Sequence, residues 1–80
     1  MKLTVDTKFS IGDVVYVVDH YYDYYASHRP YVVTDIIINI DNRNTRVTYC
    51  VECGEHIDRF PEEWLFTTYE ECARWCDEHN

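Results

Sequence analysis

The sequence predicts an α+β fold: a small, bent antiparallel sheet closed by a C-terminal helix. Three observations carry this. A turn signal, Gly12-Asp13, leads into the apolar run Val14-Val15-Tyr16-Val17-Val18. Two more β-rich stretches, Tyr31 to Ile40 and Thr45 to Glu52, flank the turn-prone Asp41-Asn42-Arg43-Asn44. The chain then ends in a short segment with a helix-capping pattern and an apolar stripe.

Each element has a local cause. Residues 1–8 form a polar lead-in, a candidate edge strand. Gly12 permits φ > 0 and Asp13 can bond its own backbone, so the pair marks a turn. The valines and Tyr16 then favour a strand, about Val14 to Asp19, and so short an unbroken apolar run predicts burial on both faces or a path through a small barrel. His20 to Pro30 has neither a helical nor a strand period and reads as a long loop with strand-like flanks.

In Tyr31–Ile40, alternation places Val32, Thr34, Ile36, Ile38 and Ile40 on one face, with Tyr31, Val33, Asp35, Ile37 and Asn39 on the other. Asp and Asn tolerate left-handed backbone, so 41–44 is a hairpin turn. In the third strand Val47, Tyr49 and Val51 point inward, and Arg46, Thr48, Cys50 and Glu52 point outward. Cys53-Gly54 turns into a fourth strand over about Glu55 to Phe60. Pro61-Glu62-Glu63-Trp64-Leu65 reads as one helical turn, with Pro early and acids near the positive end. The C-terminal helical region spans 67–79, its helix about Tyr69 to Glu78. Thr67 or Thr68 is the N-cap, Glu70 or Glu71 completes a capping box, and Tyr69, Cys72, Ala73 and Cys76 form the apolar stripe. The expected core is Val14, Val17, Val33, Ile36, Ile38, Val47, Tyr49, Val51, Leu65 and Cys76. Strands in series followed by one helix describe a single domain, 1–80, of SH3-like barrel type.

Size and charge bound the function. Eighty residues bury roughly 60% of their unfolded surface, so the core is small. Eight tyrosines, two tryptophans and three phenylalanines offset this, because each aromatic ring buries a large area. Fifteen acidic residues against seven basic ones leave a formal charge of −8. Phosphate backbones require Lys and Arg, so direct nucleic-acid binding and anionic membranes are excluded as partners; a basic protein surface is the electrostatic match. The N-terminus has no apolar signal-peptide region, and no window resembles a membrane span. A cytoplasmic location follows, with the four cysteines as thiols or metal ligands rather than disulfides.

Three constellations carry chemistry. Cys50-Val51-Glu52-Cys53-Gly54 has zinc-knuckle spacing, and Cys72 with Cys76 offers a second pair on one helix face. A zinc site from Cys50, Cys53, Cys72 and Cys76 would staple a small domain, which makes a zinc-stabilised structural module of a larger complex the alternative function. Against it, the helix needs Cys72 and Cys76 in its core face, where free Cys behaves as a small hydrophobe, so no metal or other cofactor is favoured. The second constellation is aromatic: Tyr21, Tyr22, Tyr24 and Tyr25, interleaved with Asp23, offer rings and hydroxyls suited to partner contact, although some must cap the core. The third is acidic: Glu52, Glu55, Asp58, Glu62 and Glu63 could imitate the charge of a nucleic-acid backbone, or simply solvate a face. No phosphate loop, nucleophile elbow or metalloprotease motif is present, and nothing orients a His toward Cys53, so no enzyme is expected.

The stretches Ile11-Gly12-Asp13-Val14-Val15-Tyr16-Val17, Val47-Thr48-Tyr49-Cys50-Val51 and Phe60-Pro61-Glu62-Glu63-Trp64-Leu65-Phe66-Thr67-Thr68-Tyr69-Glu70-Glu71-Cys72 together resemble small uncharacterised proteins of phages and prophages of Gram-positive bacteria. The shared features are structural: a strand start, a hairpin and a helix entry. The resemblance implies an SH3-like barrel and a mobile-element origin, and it transfers no catalytic residue. Small acidic phage proteins include anti-CRISPR proteins, which makes an inhibitor that docks on a CRISPR effector nuclease the expected function class.

Overall fold

The computed structural model describes residues 5–80. The lead-in's first four residues lie outside that range, and residues 5–8 form no strand. Six strands, a 3-10 turn and one helix follow: β1 (Val14–His20), β2 (Tyr24–Ala26), β3 (Tyr31–Ile40), β4 (Thr45–Cys53), β5 (His56–Pro61), the turn Glu62–Trp64, β6 (Leu65–Phe66) and α1 (Tyr69–His79). The strands form one antiparallel sheet in the order β2-β1-β3-β4-β5, with β6 also paired to β1. The sheet is not closed. Among the described residues β5 pairs with β4 alone, so the closure expected of an SH3-like barrel is not observed.

β1 is the strand everything else meets. Val14 and Val15 pair with Val32 and Tyr31 of β3, Tyr16 and Val17 with Phe66 and Leu65 of β6, and Val18 to His20 with β2. Its side chains alternate between two cores. Val15 and Val17 join Phe9, Val33, Tyr49, Val51, Phe60 and Leu65 in the larger cluster. Val18 joins Ala26, Cys72 and Cys76 under the helix, with Tyr16 packed beside them. The burial on both faces expected from the unbroken apolar run is what the structure shows. Val14 is the exception: it lies 53% exposed at the strand's start, opposite Val32, where neither cluster reaches.

The turns form where their residues demand. Gly12 takes φ 96° and Gly54 φ 61°, the left-handed backbone that glycine adopts without a Cβ penalty. Asp41 Oδ1 accepts from the N–H groups of Arg43 and Asn44 at 2.7 and 2.8 Å and shapes the β3–β4 hairpin. Those two bonds, Asn44's first, hold its carboxyl below the usual range. Thr68 is the N-cap of α1, accepting from Glu71 N–H at 3.2 Å, while the Glu71 carboxylate takes the Thr67 hydroxyl instead of the cap's own N–H.

Strict alternation along β3 fails at one point. The register with β4 shifts between Val33 and Asp35, so Thr34 is an inserted residue whose hydroxyl donates to the Cys50 carbonyl. Val33 and Ile36 consequently face the same core, three positions apart. The opposite-face assignment of Val33 and Ile36 is thereby corrected. Ile38 is also corrected: it lies 40% exposed, because the far half of the β3–β4 hairpin projects past the core toward its Asp41–Asn44 tip. Ile36 and Val47 are half-buried rather than sealed. Cys50, expected to face outward, is buried on the face opposite the larger cluster's Tyr49 and Val51.

Leu65 is sealed where β6 meets β1, so Leu65→Ala should cost about 2–5 kcal/mol through lost burial and a residual cavity. Thr68→Ala, an exposed cap, should cost only about 1 kcal/mol. Urea denaturation of the two variants beside the parent checks the ranking, and equal losses would contradict it.

Candidate functional site

The tyrosine-rich segment expected as one contact surface is divided by strand alternation. Tyr21, Tyr22 and Asp23 form the turn between β1 and β2, where the Tyr21 N–H donates to the Asp23 carbonyl at 3.3 Å. Tyr21 and Tyr22 are 75% and 83% exposed, with ring centroids 4.5 Å apart in an edge arrangement. Tyr24 turns to the helix side instead. Its ring sits edge-on to Trp64 and Trp75 at 5.7 and 5.4 Å, and its backbone N–H and C=O both bond the Asn80 side chain. It is a structural residue as placed. Tyr25, one position on, pairs with Asp19 on the other face.

Asp19 marks a cluster that the sequence did not single out. It continues the Val15–Val17 face of β1 to the end of the larger core, within electrostatic reach of His56 and Asp58 of β5, Tyr31 and His28. Burial, then the Asp58 charge, push the Asp19 carboxyl above its ordinary value, opposed by His56 and His28. Burial and the Asp19 charge likewise raise the Tyr31 phenol. His56 Nε2 lies 3.7 Å from Asp58 Oδ2 in an exposed pair. The signal in the sequence was present: an Asp ending a valine run at period 2 stands at the rim of the core.

The acidic set is distributed as well. Glu52 lies near the end of β4, Glu55 sits in the β4–β5 turn, and Asp58 on β5 acts electrostatically on Asp19. Glu62 and Glu63 stand elsewhere, beside a groove of about 470 Å³ lined by Thr45 to Thr48 and Pro61 to Glu63. Glu62 has a packing role too. Its carboxylate accepts from the Tyr49 hydroxyl and from the Lys8 N–H at 3.2 Å, while the same hydroxyl accepts from the Phe9 N–H at 3.2 Å. This satisfies the polar tip of a fully buried ring. Burial and the bond to Glu62 raise the Tyr49 phenol.

The cysteine pairs do not converge. Cys72 and Cys76 lie on the buried face of α1 in the smaller cluster, and Cys53 packs against the larger one. Among the described residues, no three His, Cys, Asp or Glu side chains are grouped to hold a metal ion. The Cys72 thiol is pushed up to about 12, first by burial and then by Cys76. Burial raises Cys76 too.

No helix among the described residues is long and apolar enough to cross a membrane. No known protein family matches the chain, and no curated protein or solved structure is similar to it.

Two expectations follow. A carboxyl raised by folding binds its proton more tightly in the native state, so its contribution is full below the unfolded value of 3.8 and is lost as pH rises through the folded one. Asp19→Asn should therefore match the parent at low pH and gain on it as pH rises, by less than about 1 kcal/mol for so partly exposed a group. Denaturant midpoints across pH 3 to 7 (about the carboxylate range) test this, and a gap that narrows with pH contradicts it. Thiols kept protonated by burial resist alkylation. Iodoacetamide on the folded protein should modify Cys53 first and reach Cys72 and Cys76 only after denaturation, as read by mass spectrometry of the peptides.

Proposed function

We propose that this chain is a non-enzymatic binding protein that docks on a basic protein surface, acting in the cytoplasm of a bacterial host. The observation that carries this is the Tyr21–Tyr22 turn, two large rings that neither core uses, held side by side at the end of a double-faced strand. Amphipathic rings on a short, tied turn offer contact area at low entropic cost. Around them the chain carries a formal charge of −8, which favours a basic partner and accelerates encounter with it. The resemblance to phage and prophage proteins directs the choice of partner to the nucleic-acid groove of a CRISPR effector nuclease, with this chain as the inhibitor that occupies it. The same resemblance reads the bent sheet around β1 as an SH3-like element opened at β5.

The structure alters which residues should be tested. Tyr24 and Glu62 support the fold, so the tyrosine change belongs at Tyr21 and Tyr22, and the charge change at the exposed Glu55 and Glu63. With a purified guide-loaded effector nuclease, binding should slow as salt rises, because the steering is electrostatic. Glu55→Lys with Glu63→Lys should lower the association rate. Tyr21→Ala with Tyr22→Ala should instead raise the dissociation rate, costing about 2 kcal/mol or more if the pair is a hot spot. Surface-immobilised kinetics checks both, with circular dichroism confirming the fold. Parent-like binding by both variants would remove these tyrosines and acids from the function, and absence of binding by the parent would remove the inhibitor reading.

A further inference from the structure

The free edge of β4 is a binding feature that the fold itself leaves unused. β5 accompanies β4 only from Thr48 to Cys53, since at Pro61 the chain turns away into Glu62–Trp64. Thr45, Arg46 and Val47 continue the strand, paired with Ile40, Asn39 and Ile38 of β3 and, among the described residues, with no strand on the other side. The groove of about 470 Å³ runs beside this stretch, with Pro61, Glu62 and Glu63 as its far wall. A strand edge in that state presents backbone N–H and C=O groups to any extended chain that reaches it.

We propose that the Thr45–Val47 edge takes up an extended, lysine- or arginine-bearing segment of a protein partner as an added strand. The inference rests on the reading that the chain docks on a basic protein, and it gives that contact a place and a geometry. Strand alternation sorts the guest's side chains. One set falls on the face of the half-buried Val47 and its neighbours Ile38 and Ile40, which are apolar and 40% and 50% exposed. Cationic side chains meet Glu62 and Glu63, two carboxylates against the single guanidinium of Arg46. Charge also argues against a second copy of this chain as the guest, because each copy carries a formal charge of −8. The free stretch is short, so the added strand supplies register and orientation, with the rest of the partner's surface adding affinity.

The test is an amide NMR titration of the full chain with a peptide of alternating Lys and Val, about seven residues long. A version N-methylated on alternate residues keeps the charge and removes strand hydrogen bonds. Shifts should concentrate at Thr45 to Val47 and at Glu62 and Glu63, and the N-methylated peptide should bind at least about tenfold more weakly, the effect of one or two lost hydrogen bonds. Glu63→Lys should weaken the parent peptide by about tenfold, and Glu55→Lys, remote from the groove, by less than about twofold. Equal binding of both peptides would reduce the contact to charge alone and overturn strand addition. Shifts centred on Asp19 and Asp58 would overturn it too, while leaving docking on a basic partner intact. Absence of peptide binding beside a nuclease that still binds the parent would do the same. Failure of both assays would remove the broader reading as well. Shifts at Thr45 to Val47 that depend on protein concentration alone would assign the edge to a second copy, and shifts there on deletion of residues 1–4 would assign it to the chain's own start; either result overturns the proposal.

Discussion

The structure depends on β1 being buried on both faces. A strand in that position must hide side chains in two directions and also pair its backbone groups, since an unpaired buried N–H or C=O costs as much as a lost hydrogen bond. Val15 and Val17 meet the first demand toward the β3–β4–β5 side, and Val18 with Tyr16 toward α1. The second demand recruits three strands and one side chain. β3 pairs with the start of β1, β6 with its middle and β2 with its end. Ser27 fills the gap between β2 and β3. Its hydroxyl accepts from the Val17 N–H at 3.1 Å and donates to the Arg29 carbonyl, and its own N–H donates to the Val17 carbonyl at 2.9 Å. A buried serine is the piece that lets the chain leave β2 without exposing β1.

The same constraint decides which surfaces remain for binding. With both faces of β1 occupied, its flanking residues are sorted by period 2 between two cores. Asp19 is carried to the rim of one, His20 and Tyr24 to the rim of the other, where their rings lie 4.7 Å apart. Only Tyr21, Tyr22 and Asp23 escape, because they are the turn itself. At the opposite end, the β3–β4 hairpin is longer than the sheet needs for its core. Its far half carries the open edge and the groove as a consequence of length, since β5 stops at a proline that cannot donate to the ladder.

Much of this fold was legible in the sequence because the relevant causes are local. Gly12-Asp13, Asp41–Asn44 and Gly54 specify turns through their own backbone preferences. The valine run specifies a doubly buried strand, and Thr68 three residues before Glu71 specifies a helix start. Aromatic abundance likewise announced packing beyond what the chain's length suggests, realised where Tyr24, Trp64 and Phe66 pack against Trp75 of α1. The presence of candidate contact residues was also readable, since tyrosine and carboxylate side chains carry their chemistry wherever they are placed.

What only the tertiary structure decided is which of those residues stand together. The inserted Thr34 reverses the β3 alternation through its bond to a carbonyl on another strand, a partner sixteen positions away that no local pattern reveals. β2 and β6 are short strands of three and two residues, paired to the end and the middle of β1, too short for any period along the chain to mark their bounds. Glu62 is tied to Tyr49 and Tyr24 to Asn80, each by hydrogen bonds between residues far apart in sequence, and the charge of Asp58 acts on Asp19 from another strand. The sequence by itself determined the elements, the charge and the supply of rings and carboxylates. The sheet's open end, the division of the tyrosines and the dispersal of the acids came from long-range pairing, because a side chain's partners depend on register and crossing geometry that its neighbours along the chain do not encode.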